Sequence, residues 1–264
     1  MENSMKILVC VKQVPDTNEV RLDPKTGTLI RDGVPSIINP DDKNAIEAAV
    51  RIKEETGATV TVLCMGPFQA DAALREALAM GCDEAVLLSD RAFAGSDTMA
   101  TSNILCAGIN ALGSFDIIFC GRQAIDGDTA QVGPQIAEKL DIPQITYVGD
   151  VKVDGDTVTV KRMLEDGYQI IETKTPCLLT AVKELNTPRY ARIGGIFSAY
   201  NSDIRIMTVN DVTVDLETIG LKGSPTNVKR TFSPEPKGAG VTLEGTDAEK
   251  VSALIAGLSA KHII

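Results

Sequence analysis

Short apolar runs alternate with helix-period segments over roughly the first 140 residues, and this alternation leaves few folds open to the chain. Residues 6–11 (KILVCV), 59–64 (TVTVLC), 84–88 (EAVLL) and 117–119 (IIF) are largely apolar and read as strands buried in a parallel sheet. Helical stretches lie between them. Asn39-Pro40-Asp41-Asp42 opens one that runs to about Thr56, with Asp41 or Asp42 as its cap and Ile46, Ala49, Val50 and Ile52 as its apolar stripe. Residues 70–80 are rich in Ala and Leu and stop at Gly81. A third helix is expected to end near Leu112. A fourth follows Asp126-Gly127-Asp128-Thr129 and runs to Leu140, with Asp128 or Thr129 as its N-cap. The expected class is α/β, a doubly wound and mostly parallel sheet.

After Pro143 the pattern changes. Residues 145–148, 151–153, 157–164 and 168–173 read as strands, with hairpin turns at Asp154-Gly155-Asp156 and Glu165-Asp166-Gly167. Residues 177–182 (CLLTAV) read as one more buried strand. Antiparallel or mixed strands are therefore expected to extend the sheet. Residues 22–34 carry two turn signals around Leu29-Ile30 and suggest a hairpin-like excursion. From Pro188 to about Gly240 there is little periodicity, and Pro225, Pro234 and Pro236 fall there. This stretch reads as an extended arm that packs on something else. Thr246-Asp247-x-Glu249 starts a terminal amphipathic helix with Val251, Leu254, Ile255 and Leu258 on its apolar face.

The chain has 264 residues and a net charge of −10. That charge disfavours nucleic acid and anionic membrane surfaces, which need basic footprints. No apolar run approaches the roughly 18 residues of a membrane span, and ILVCV runs into Lys12 before it makes a leader. No membrane insertion and a cytoplasmic address are expected. The only histidine is His262, which argues against His-based triads and His metal sites. Cys10, Cys64, Cys82, Cys106, Cys120 and Cys177 are too scattered for CxxC ligand pairs, so no metal site is expected. No catalytic base stands out. Chemistry in such a chain must come from a cofactor.

In a parallel sheet the carboxyl ends of the strands share one edge, where open α/β sheets bind ligands. Four polar or glycine-containing loops reach that edge: Gln13 to Thr17, Met65-Gly66-Pro67, Phe93 to Thr98, and Asp126 to Gln131. Two of them carry Gly-x-Asp-Thr or Asp-Gly-Asp-Thr just before a helix. Two helix N-termini are thus expected to face one site, and their amides suit a nucleotide phosphate. An aspartate that caps such a helix competes for the same amides, so Asp97 and Asp128 read equally as ordinary caps.

The residues also carry a resemblance. Val160-x-Arg162-x-x-Glu165-Asp166-Gly167-x-Gln169-x-Ile171, followed by Pro176-x-Leu178-Leu179-Thr180, is similar to the signature of the electron-transfer flavoprotein beta subunits. Asn39-Pro40, Gly121-x-Gln123-Ala124-Ile125-Asp126 and Asn186-x-Pro188-Arg189-Tyr190 fit the same family, and the resemblance spans the whole chain. It implies a heterodimer with an alpha subunit and a nucleotide site in the beta subunit. That site holds AMP in ordinary electron carriers and a second FAD in the electron-bifurcating branch of anaerobic bacteria. Val14-Pro15-Asp16-Thr17 and Arg91-x-Phe93-Ala94-Gly95-x-Asp97-Thr98-x-x-Thr101-Ser102 resemble the bifurcating branch.

Carried over by resemblance, the adenosine end contacts Cys10, Asn39, Pro40, Asp41, Asp42, Met65 and the run Ala124, Ile125, Asp126, Gly127, Asp128, Thr129, Ala130, Gln131, Val132, Gly133, Pro134 and Gln135. Phe93, Ala94, Gly95, Asp97, Thr98 and Thr101 meet the flavin end, and Val14, Pro15, Asp16 and Thr17 add polar atoms beside it. The implied activity is electron bifurcation from NADH, exercised only within the complex. One electron goes through the alpha-subunit FAD to an acyl-CoA dehydrogenase-type flavoprotein, and the other goes to ferredoxin or flavodoxin. Residues 188–199 (PRYARIGGIFSA) resemble the family's docking loop, with Arg189, Tyr190 and an apolar anchor at Ile193. The expected division is a nucleotide-binding α/β domain over 1–185, then docking loop, arm and terminal helix over 186–264. Two alternatives stand beside this one: the AMP-holding carrier, and a stand-alone sensor of the adenine-nucleotide hydrolase-like fold.

Overall fold

The computed structural model describes residues 4–16, 35–226, 228–229 and 238–264. The excursion expected at 22–34, Thr17 of the expected site, Pro234 and Pro236 lie outside the described residues. The chain forms two compact units, Met1–Lys229 and Arg230–Ile264. In order, the first unit contains β1 (Lys6–Val11), β2 (Gln13–Pro15), β3 (Ser36–Ile38), α1 (Pro40–Thr56), β4 (Thr59–Met65), α2 (Asp71–Met80), β5 (Glu84–Leu88), α3 (Thr98–Leu112), β6 (Ile117–Gly121), α4 (Val132–Leu140), β7 (Gln144–Asp154), β8 (Thr157–Met163), β9 (Tyr168–Lys174), β10 (Cys177–Ala181), α5 (Ile193–Asn201), β11 (Arg205–Met207) and α6 (Gly220–Gly223). The second unit contains α7 (Asp247–Ala260), which opens on the expected capping box of Thr246 and Glu249. No described helix is long and apolar enough to cross a membrane.

The main sheet has nine strands in the order β11-β5-β4-β1-β6-β10-β7-β8-β9. Neighbours from β11 to β7 are parallel, and β8 and β9 continue the sheet antiparallel. The chain first steps from β1 to β4 and β5, then returns to place β6 on the other side of β1. The direction of winding reverses between β1 and β6, which opens a crevice at their carboxyl ends.

Strand periodicity sorts the core into two layers. Ile7, Val9, Val60, Val62, Ile117 and Phe119 face one side, where Ile46 and Leu74 of α1 and α2 meet them. Leu8, Leu63, Leu88, Ile118 and Leu178 face the other, against Ile104 and Ile136 of α3 and α4. The central strands are covered on both faces, which is why they read as nearly continuous apolar runs.

Three features differ from the expectation. The strands read at 145–148 and 151–153 are one strand, β7, whose register slips between Val148 and Asp150. Its first half pairs parallel with β10 on one edge and its second half antiparallel with β8 on the other. β10 does not extend the sheet but enters it, between β6 and β7. The stretch after Pro188 forms α5 and the edge strand β11. Both are short, and the glycines at the start of α5 weaken its helix signal, so packing rather than propensity sets them.

Phe119 is fully buried and the largest such side chain in the core. Phe119→Ala is expected to cost about 3–5 kcal/mol of unfolding free energy, read from denaturant midpoints. A change below about 1 kcal/mol would contradict the two-layer packing.

Candidate functional site

The crevice between β1 and β6 is stitched by two buried side chains on the first turn of α1. Asp42 accepts the Lys12 amide on Oδ2 at 2.7 Å and the Gly121 amide on Oδ1 at 3.0 Å. These amides leave β1 and β6, so one carboxylate holds both strand ends. Asn39 donates from Nδ2 to Asp42 Oδ1 at 3.1 Å and to the Gln123 carbonyl at 2.8 Å, and accepts the Ile125 amide at 3.0 Å. Asp41 and Asp42 were expected to cap α1. Neither does: Asn39 occupies the cap position without a side-chain cap bond, and Asp42 is turned into the crevice. Gly121 is obligatory here, because a Cβ would run into Asp42 Oδ1 and lie 2.9 Å from its backbone nitrogen. Burial drives the Asp42 carboxyl up to about 7, against its three hydrogen-bond donors, which favour the ionised form.

The other loops join this centre. Lys12 Nζ pairs with Asp126 Oδ1 at 2.7 Å, across from the β1 loop to the β6 loop. Thr98 Oγ1 donates to Gln131 Oε1 at 2.8 Å and links the starts of α3 and α4. Gln13 donates from Nε2 to the Gln69 carbonyl at 3.1 Å, bringing in the turn after β4.

The two helix starts differ in charge balance. Asp97 caps α3 by accepting the Ala100 amide at 3.0 Å, and its other oxygen accepts the Thr226 amide at 2.9 Å. Burial alone would raise the Asp97 carboxyl, but these amides outweigh it and hold it below the usual value. The start of α3 is thus neutralised from within. At α4 the expected cap is missing. Asp128 accepts from Gln123 Nε2 at 2.8 Å instead, and Gln131 holds the cap position without a side-chain cap bond. Asp128 and Ala130 take left-handed backbone at φ 48° and 53°, uncommon for residues with a Cβ. Among the described residues, the amides of Thr129, Ala130, Gln131, Val132 and Gly133 have no acceptor. A run of open amides at a helix N-terminus is a cradle for a phosphate.

Among the described residues, two buried side-chain oxygens, Gln13 Oε1 and Gln135 Oε1, also lack a partner. They are acceptors, and a nucleotide brings N–H and O–H donors, so the residues present fit such a group. The remaining expected site residues divide by burial. Cys10, Val14 and Phe93 are buried in the structure, Met65 is half-buried at the end of β4, and Asp16, Ile125, Gly127 and Thr129 are exposed. Hydrogen bonding to Cys120 and burial hold the Cys10 thiol well above its ordinary value, so it is no nucleophile. Ala94 and Gly95 are joined to the 220–224 turn through the Leu221 amide and Ser224 Oγ. Gln135 was among the expected site residues and Gln13 opened one of the expected loops, whereas Lys12 was not expected at the site: a lone charge at a strand end shows its role only once the sheet order is known.

On the far side of α1, Arg189 forks onto Glu47 and Glu54, while Tyr190 and Ile193 are 96% and 88% exposed. The docking loop read at 188–199 is therefore a turn leading into α5.

The sequence matches the electron transfer flavoprotein domain family over residues 26–213. It is 62% identical over 98% of its length to all of the electron transfer flavoprotein subunit beta of Thermoanaerobacterium thermosaccharolyticum. It is 57% identical to the caffeyl-CoA reductase-Etf complex subunit CarD of Acetobacterium woodii, with 98% of this chain and 100% of that one aligned. Over the same shares it is 54% identical to the acryloyl-CoA reductase electron transfer subunit gamma of Anaerotignum propionicum.

Asp42 has a folded-state value above its unfolded one, so its contribution to stability falls as pH rises from about 4 to about 7 and levels off beyond. Asp42→Asn removes that titration. The stability gap between wild type and variant is expected to narrow between about pH 4 and about pH 7 and to stay level above that, read from thermal unfolding. A gap that stays constant or widens would contradict the assignment.

Proposed function

The chain belongs to the electron transfer flavoprotein family, and from that premise we propose that it is the beta subunit of a heterodimer that bifurcates electrons, with FAD in the β1–β6 crevice. The observation that carries this reading is the set of open amides from Thr129 to Gly133 over the uncapped start of α4, at the point where the winding of the sheet reverses. FAD there would take two electrons from NADH and pass them on singly, one to ferredoxin or flavodoxin and one through the alpha-subunit FAD to an acyl-CoA dehydrogenase-type flavoprotein.

The chain's own residues bind and position. The α4 amides hold the phosphate end. Lys12 offsets the Asp126 carboxylate that would otherwise repel it. Gln13 and Gln135 offer their buried oxygens to nucleotide donors. Asn39 and Asp42 keep the walls of the crevice fixed, so little reorganisation accompanies binding. Among the described residues no side chain is arranged as a general base beside a nucleophile, which suits a carrier whose chemistry is the cofactor's. The relatives named for caffeyl-CoA and acryloyl-CoA reductases support an acyl-CoA-type acceptor flavoprotein, docked at Tyr190 and Ile193.

A second reading, AMP in place of FAD, is favoured by the closed start of α3. Asp97 occupies those amides, so of these two helix starts only that of α4 is open, and it suits a single phosphate as well as a pyrophosphate. Nucleotides extracted from the purified heterodimer separate the two. Two FAD per heterodimer are expected, and one FAD with one AMP would overturn the bifurcating reading. For docking, Ile193→Ala is expected to raise the KM for the acceptor flavoprotein about tenfold with flavin content unchanged. An unchanged KM would reject Ile193 as an anchor.

A further inference from the structure

The exposed apolar surface at Ile193 is held by charge on α1. Residues 186–189 are strapped to that helix at two levels. Asn44 and Asn186 exchange bonds: Asn44 Nδ2 donates to the Asn186 carbonyl at 2.7 Å, and Asn186 Nδ2 to the Asn44 carbonyl at 2.9 Å. One turn on, Glu47 Oε2 accepts both the Arg189 amide at 3.1 Å and Arg189 Nε at 2.8 Å. The same carboxylate takes Arg51 Nε at 2.6 Å on Oε1. Glu47 is only 2% exposed, whereas Glu54, the other arm of the Arg189 fork, is exposed.

Downstream, α5 leaves Ile193, Ile196, Phe197 and Tyr200 exposed along one side. Its other side is seated closely on α2. A Cβ at Gly195 would lie 2.5 Å from the Ala79 carbonyl oxygen. Arg75 closes the far end, donating from Nη1 to the Ala199 carbonyl at 2.7 Å.

Order in such a helix before its partner arrives lowers the entropic cost of binding. We propose that Glu47 is the positioning residue that holds the 187–201 segment ready for the acceptor flavoprotein, a role resting on the docking reading above. It fixes both the main chain and the guanidinium of Arg189, just ahead of Tyr190 and Ile193. Burial makes this contact matter more than the solvent-screened one to Glu54.

The test uses the co-expressed heterodimer. Glu47→Gln keeps the volume and one acceptor but removes the charge. It is expected to raise the KM for the acceptor flavoprotein about tenfold with kcat and NADH-dependent flavin reduction unchanged, while Glu54→Gln changes KM less than about threefold. In an Ile193→Ala background the Glu47→Gln effect is expected to disappear, since both act through one surface. Amide exchange over 187–201 is expected to quicken in Glu47→Gln. A wild-type KM, an effect fully additive with Ile193→Ala, or unchanged amide exchange overturns the proposal. Faster exchange with wild-type KM in both single variants locates the failure in the docking reading rather than in the clamp.

Discussion

One carboxylate ties together the carboxyl ends of the two central strands. Asp42 draws the amides leaving β1 and β6 onto its two oxygens. Parallel strands carry no turn that connects them directly, so the crevice where winding reverses has no local device to keep it in shape. A charge buried there is costly, and the bonds from Lys12, Gly121 and Asn39 offset only part of that cost, so burial still raises the Asp42 carboxyl. The absence of a side chain at residue 121 follows from that arrangement, and so does the use of Asn39 to bind the β6 loop on both its oxygen and its nitrogen.

With the walls fixed, the two helix starts decide where an anion goes. Both carry an aspartate nearby, but only Asp97 turns onto its helix. Asp128 is drawn off by Gln123, and the left-handed residues Asp128 and Ala130 lift the chain away from an ordinary cap. The strain of those two residues is of the kind that persists where a ligand repays it. Lys12 balances the Asp126 carboxylate near the mouth. The outer face works by a similar rule: Glu47 and Arg189 place an apolar helix in water and keep it ordered.

The parallel sheet was legible because its strands are apolar throughout and its helices begin and end on readable residues, Asn39-Pro40, Gly81 and the Thr246-Glu249 box among them. The convergence of four loops followed from topology alone. Long-range partners could not be read. Asp42 has the spacing of a helix cap, and only the position of Gly121, far along the chain, shows what it binds instead. Asp97 and Asp128 look alike in sequence and part company through Thr226 and Gln123. β10 has the composition of any buried strand, and its place between β6 and β7 is set by long-range pairing with both. α5 was hidden by Gly194 and Gly195, and the second of these is there because α2 approaches too closely for a side chain.

The central claim is that the open amides of residues 129–133 hold the phosphates of a bound nucleotide. Hydrogen exchange at those amides, compared in the purified heterodimer before and after its nucleotides are stripped, tests it directly. Slow exchange in the loaded protein that becomes fast at these positions on stripping is the predicted result. Exchange equally fast in both, with protection lost elsewhere instead, would contradict the account.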